Sequence, residues 1–184
     1  IGRTICRRKR LGIDMRIAVD AMDVDLFQQL TRRVLPTLSK LTASQRPVPL
    51  IEDIAIPPAK LADFLVSAQN ILKRHQVTAS LFAHAGHGQV QFRPFLNLAN
   101  PDDIDRMYRM ATELCSEVIR IGGTISGQQG DGLSRSWFVR RQYPELYPVF
   151  REVKRLFDAD NVLNPGKVIL VLPKAGLGPR FGGR

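Results

Sequence analysis

The apolar positions change their spacing several times along the chain, and each change marks an element. From about Asp20 to Leu41, residues Leu26, Leu30, Val34 and Leu38 recur at steps of four. That repeat predicts an amphipathic helix, which Pro36 should kink or shorten. TASQRP then reads as a loop. PVPLIEDIAI, from Pro47, is short, β-branched and stopped by Pro57-Pro58, which predicts a strand. Pro58 suits the start of a helix running to about His75, with Leu61, Phe64, Leu65, Ala68, Ile71 and Leu72 on one face. VTASLFAH reads as a second strand, Gly86 and Gly88 as a turn, and the alternating QVQFRPF as a third strand. Asn100 is an N-cap candidate, Pro101 fits the first helical position, and Asp102 and Asp103 suit the positive end of the helix dipole. Gly122-Gly123 should stop that helix, and Thr124-Ile125-Ser126 should form a short fourth strand. A last helix, PELYPVFREVKRLFD, should turn Leu146, Val149, Phe150, Val153, Leu156 and Phe157 inward.

From residue 47 the predicted order is β-α-β-β-α-β. The expected class is α+β: a ferredoxin-like antiparallel sheet with both helices on one face, plus a C-terminal helix. The other sheet face is then free to cover something, but the architecture alone assigns no function. The expected division is a basic arm and helix over 1–46, a folded domain over 47–169, and a flexible Gly- and Pro-rich tail over 170–184.

With 184 residues, 44% of them hydrophobic, the chain can bury one ordinary core. It is too short for a large cofactor domain and a substrate domain together. No apolar run approaches the ~20 residues of a membrane span. The chain starts on isoleucine with no signal-peptide pattern, so a piece of a longer product is expected. Of the formal charge of +10, residues 1–16 carry +5 and residues 173–184 carry +3. The basicity therefore belongs to the ends, and a nucleic-acid partner is not expected of the nearly neutral body. Cys6 and Cys115 make no CxxC pair, and Cys115 falls among apolar helix positions as a small buried hydrophobe. A reduced, cytoplasmic setting is the default.

Three Gly-punctuated polar clusters remain. HAGHGQVQFRPF joins strands two and three and carries His84 and His87; read alone, it is a hairpin or a site brought close by its glycines. His-x-x-His on a loop is thin evidence for zinc, because a site needs three or four ligands. GGTISGQQGDG, 122–132, has five glycines but matches neither common phosphate-loop pattern. DADNVLNPGKV, 158–168, contains the turn sequence Asn164-Pro165-Gly166. Two of these loops end strands of one sheet and the last helix can return the third, so together they read as a ligand site.

In these segments the chain resembles the C-terminal, or cap, domain of FAD-linked oxidases of the vanillyl-alcohol-oxidase type. That group contains the flavoprotein component of glycolate oxidase, cytochrome-linked D-lactate dehydrogenases and D-2-hydroxyglutarate dehydrogenase. IEDIAIP, FAHAGHGQVQFRPF, GGTISGQQGDGLSR and FDADNVLNPGKV occur in the family's order across about residues 47–169, and HAGHGQ is most similar to the fused flavoprotein–iron–sulfur branch. The resemblance implies a substrate-binding domain laid over the flavin of a 2-hydroxy-acid oxidoreductase. Its FAD-binding domain is absent from this chain, so the isolated chain is expected to be inactive. In several members of the family, two histidines and a glutamate hold a divalent metal, and a neighbouring histidine takes the substrate's proton. Carried over, His84 is the first metal histidine. Gln91 stands at the second, Gln128 at the metal glutamate, and Gln129 at the base. Asn164 and Lys167 match the flavin-contacting turn. His87 stands where many relatives carry aspartate, and Arg93 and Arg135 are candidate anion contacts alongside His84, His87, Gln91 and Gln128.

A neutral amide is a poor ligand for a divalent cation and no proton acceptor near neutral pH. The resemblance therefore leaves two readings: a cap domain for a small 2-hydroxy-acid substrate, or a catalytically impaired relative. It also leaves room for an electron-acceptor partner or attachment to the cytoplasmic side of a membrane. A ferredoxin-like nucleic-acid or partner-binding module is the third reading, although QVQFRPF does not fit the RNA-recognition strand.

Overall fold

A computed structural model of the chain describes residues 17–40 and 44–169. The chain falls into two compact units, Ile1–Thr42 and Ala43–Arg184. In the first, helix α1 (Ala21–Ser39) starts where the Asp20 carboxylate accepts the Asp23 N–H at 2.8 Å. Pro36 lies within α1 without ending it. Leu26, Leu30 and Val34 of its apolar stripe are exposed, and Leu38 is half-buried. The basic arm, Cys6, the start of the TASQRP loop at Thr42-Ala43 and the tail beyond residue 169 lie outside the described residues.

The second unit carries the sheet. Strands β1 (Arg46–Pro47) and β2 (Ile51–Ala55) come first, and a 3-10 turn at Pro58–Lys60 leads into α2 (Leu61–Arg74). Strands β3 (Ala79–His84) and β4 (Gln89–Leu96) form a hairpin, followed by α3 (Pro101–Arg120), α4 (Gly132–Gln142) and α5 (Tyr147–Phe157). Asn100 caps α3 as expected, accepting the Asp102 N–H at 3.0 Å, with Pro101 behind it.

Strand β4 is central and every partner is antiparallel to it: β3 along one side, β2 and then β1 along the other. Ile51, Ile54, Val90 and Phe92 turn to one face. There they meet Leu61, Phe64, Ala68 and Ile71 of α2 and Met107, Met110, Ala111, Leu114 and Val118 of α3 in one core. Phe64 sets its ring edge-on to Phe92, with centroids 6.2 Å apart. Cys115 is buried in this core, and desolvation pushes its thiol up to about 12.

The α+β class and the antiparallel sheet are as expected, and the fourth strand of the expected ferredoxin-like order is reduced. Thr124-Ile125-Ser126 forms a single bridge, Ala55 with Thr124, instead of a fourth strand. Three glycines between residues 122 and 127 leave that stretch few side chains to pack as a ladder. The sheet's fourth member is the two-residue β1. Helix α4 was not expected, and it buries Arg135, Ser136, Phe138 and Val139. Helix α5 exists, but its stripe does not face inward. Leu146, Val149, Val153, Leu156 and Phe157 are exposed, and of the six only Phe150 is half-buried, edge-on to Tyr143.

Candidate functional site

Backbone bonds hold the first two polar loops at one end of the sheet, and a side-chain bond ties the third to the helix that follows the second. At the first, the Gly88 carbonyl accepts the Ile56 N–H at 2.8 Å, just past the end of β2. A Cβ on Gly88, whose φ is +73°, would lie 1.7 Å from the Ile56 carbonyl oxygen. Only glycine allows this approach. The second loop lies on the other flank of β2. Thr124 exchanges N–H···O bonds with Ala55 at 2.8 and 2.9 Å, and the Gly127 N–H reaches the Asp53 carbonyl at 2.7 Å. The third is tied to the start of α4, where the Ser136 hydroxyl accepts the Val168 N–H at 2.7 Å and donates to the Gly132 carbonyl at 2.5 Å.

The β3–β4 register fixes which side chains share the sheet face away from α2 and α3. His84 stands opposite Gln89, Phe82 opposite Gln91, and Ser80 opposite Arg93. In an antiparallel pair, opposed side chains lie on the same side. The His84 ring packs edge-on to Phe82 at 4.9 Å and lies 6.4 Å from the ring of His87, centroid to centroid. Across β4, the register to β2 jumps between Ile51–Phe92 and Ile54–Val90. Glu52 and Asp53 therefore form a bulge together against Gln91.

That bulge sends its two acids to different places. Glu52 pairs with Arg93, both side chains largely buried, so Arg93 is an ion-pair partner on the sheet. Asp53 has no exposed surface and a φ of +66°. Its carboxylate accepts the Gln128 N–H at 2.9 Å, the Gln129 N–H at 2.7 Å and the Gln89 Nε2 at 3.1 Å. Arg135, also buried, reaches Asp53 at 3.4 Å and donates to the carbonyls of Glu52 at 2.8 Å and Gly130 at 2.5 Å. A buried polar group without partners is costly, and this network supplies them from both sides of the loop. Asp53 and Gln89 were missed in the sequence. The available signal was an adjacent pair of acids inside a short apolar strand, at least one of which must be buried.

The Asp158 carboxylate organises the turn before Asn164. It accepts the Val162 and Leu163 N–H groups at 2.8 and 2.9 Å and pairs with Lys154. The Lys154 ammonium beside it, helped by those amides, holds its carboxyl below the usual range. Past it, Asn164 takes a left-handed φ of +47°, and its side-chain oxygen accepts the Lys167 ammonium at 3.1 Å.

His84, His87, Gln128 and Gln129 are all exposed at this end, with Gln91 half-buried beside them. Among the described residues, no three His, Cys, Asp or Glu side chains come together as a metal would need. The donors here are one or two imidazoles and several amides. That set does not fit a tightly held divalent cation, although it can hydrogen-bond a carboxylate or hydroxyl.

The domain is thus a small antiparallel sheet with helices on one face and glycine-punctuated polar loops at one end. Comparison with known families gives it a place: residues 5–168 match the model of the FAD linked oxidases, C-terminal domain, and the chain belongs to that family. It is 31% identical to a D-2-hydroxyglutarate dehydrogenase of Pseudomonas putida over 93% of the chain and 17% of that protein. It is 25% identical to the glycolate oxidase protein GlcD of Bacillus subtilis over 89% of the chain, and 27% identical to a D-lactate dehydrogenase of Archaeoglobus fulgidus over 84%. The chain spans 34% and 35% of those two, and so between about a sixth and a third of the relatives it matches.

Proposed function

We propose that the chain is the substrate-binding cap of an FAD-dependent oxidoreductase acting on a small 2-hydroxy acid of the D-lactate, glycolate or D-2-hydroxyglutarate kind. Its flavin-binding domain then lies outside these residues. The observation that carries the reading is the meeting of two family loops at one end of the sheet, with the third tied to the helix that follows them and exposed hydrogen-bonding side chains at His84, His87, Gln128 and Gln129. FAD supplies the hydride-accepting chemistry in such a protein. This chain's part is to bind and orient. The glutamine amides and the histidines hold the acid's carboxylate and hydroxyl, and Asn164 with Lys167 offers an amide and a cation to the cofactor's edge. Among the described residues, His84, His87, Gln91, Gln128 and Gln129 offer a divalent metal only imidazole and amide donors. Among further partners, an electron acceptor fits this reading, as does attachment on the cytoplasmic side of a membrane.

A full-length protein carrying these residues tests the proposal. Added without oxygen, one of the three hydroxy acids should bleach the flavin's visible absorbance, while the 184-residue chain alone should retain no stoichiometric FAD. Stoichiometric flavin on the isolated chain would overturn the division of labour. The second reading, a catalytically impaired relative, rests on Gln91, Gln128 and Gln129. Gln129 cannot supply the roughly 10²–10⁴-fold rate contribution of a general base. FAD bound in the full-length protein but bleached by none of the acids would decide for it.

A further inference from the structure

We infer that Asp53 is a positioning residue: its buried carboxylate fixes the backbone of residues 127–129 so that the side chains at 128 and 129 stand out toward the ligand. What those side chains then do rests on the function proposed above; the anchoring does not. The loop presents an unusual combination. Residues 127–130 are exposed, yet the N–H groups of Gln128 and Gln129 end on a side chain with no exposed surface. The loop has no strand or helix to satisfy those amides, so Asp53 takes the place of a ladder.

The geometry explains why this acid sits at this position. The bulge at Glu52-Asp53 breaks the alternation of β2, and the left-handed φ at Asp53 swings its side chain toward the loop. The same residue's carbonyl takes the Gly127 N–H, so backbone and side chain together hold three consecutive amides, 127 to 129. Gly127 packs against it directly: a Cβ there would come within 3.3 Å of an Asp53 carboxylate oxygen and of the Ala55 Cβ. On the opposite side Arg135 gathers the carbonyls of Ile125, Gln129 and Gly130. An acceptor thus holds the loop's donors and a donor holds its acceptors. Gln89 Nε2 brings the same carboxylate into contact with the sheet face that carries His84 and Gln91.

Two acceptor oxygens are required. The Gln128 N–H is shared between both, the Gln129 N–H takes one, and the Gln89 amide takes the other. Asparagine has the same shape but only one acceptor oxygen, and its NH₂ would face other donors. Asp53→Asn is therefore the discriminating substitution. The measurement is residue-resolved amide exchange and amide-proton shift by NMR on the full 184-residue chain. In the unsubstituted chain the Gln128 and Gln129 amides should be protected and shifted downfield, as expected of donors to a charged acceptor. In Asp53→Asn they should exchange at least ~10-fold faster and move upfield, while the core amides of Val90 and Met110 keep their protection. Coil-like exchange at 128 and 129 in the unsubstituted chain would overturn the inference. So would a variant in which those two amides lose protection only in step with the core. If Asp53→Asn does not fold, the first measurement still decides. None of these readouts uses flavin or substrate, so they stand whatever the full-length protein oxidises.

Discussion

At Gly88 the backbone of one loop touches the end of a neighbouring strand, and no side chain can enter. Gly88→Ala should cost about 2–5 kcal/mol, from left-handed strain and a backbone clash together. Gly86→Ala, two residues earlier with nothing within 4 Å of a new Cβ, should change stability by less than ~1 kcal/mol. Urea titrations of the two variants check the contrast, and equal effects would contradict the close approach. Cys115 gives a second residue-level expectation. With its thiol pushed up to about 12 by burial, almost no thiolate exists at pH 8. A peptide map after iodoacetamide treatment should show Cys115 unlabelled in the native chain and labelled once it is unfolded. The sequence placed Cys115 in the core because its apolar neighbours repeat at helical spacing. It gave no such clue for Asp53, whose burial depends on a bulge and a left-handed φ that no periodicity encodes.

Helices α2 and α3 are joined at their edges by a charged clasp. Glu113 of α3 accepts Arg74 at 2.7 Å and His75 at 2.9 Å, both at the end of α2. The Arg74 hydrogen bond, with His75 assisting, holds the Glu113 carboxyl below its ordinary value. A carboxylate whose folded pKa is depressed adds stability above the unfolded pKa, and that stability is lost as pH falls through the folded one. Glu113→Gln should therefore destabilise the chain at neutral pH, by no more than about 1 kcal/mol because the pair is largely exposed. The difference from the unsubstituted chain should close as the solution is acidified below the usual carboxylate range. A gap between the two melting temperatures that persists in acid would contradict this. Elements with a clear repeat were legible: α2, α3 and the β3–β4 hairpin lie within a few residues of expectation. Helix α4 was not, because in GLSRSWFVRRQ polar and apolar residues are scattered around the whole circumference. The expected fourth strand is cut to one bridge, made by Thr124 with Ala55 and flanked by glycines at 123 and 127.

On the scale of the whole chain, the sequence showed that α5 has an apolar stripe but not what that stripe meets. Leu146, Val149, Val153, Leu156 and Phe157 face outward, which an amphipathic pattern alone cannot reveal. Val153→Lys should then leave the unfolding free energy within about 0.5 kcal/mol of the original. A loss of several kcal/mol in chemical denaturation would show that Val153 is covered after all. Family membership was legible from four segments in order, three of which combine glycine with a few polar residues at fixed spacing. At the candidate site the sequence displayed His84 with glutamines at 91, 128 and 129, and nothing of the anchoring beneath them. That anchoring has a bearing on how such a domain changes over generations. Asp53 and Arg135 grip the main chain of residues 125–130, while the side chains at 128 and 129 bear no weight in the fold. Mutation can rewrite those two letters without meeting a stability filter. A lineage built this way can drift from one reactivity to another, or to none, with its architecture intact.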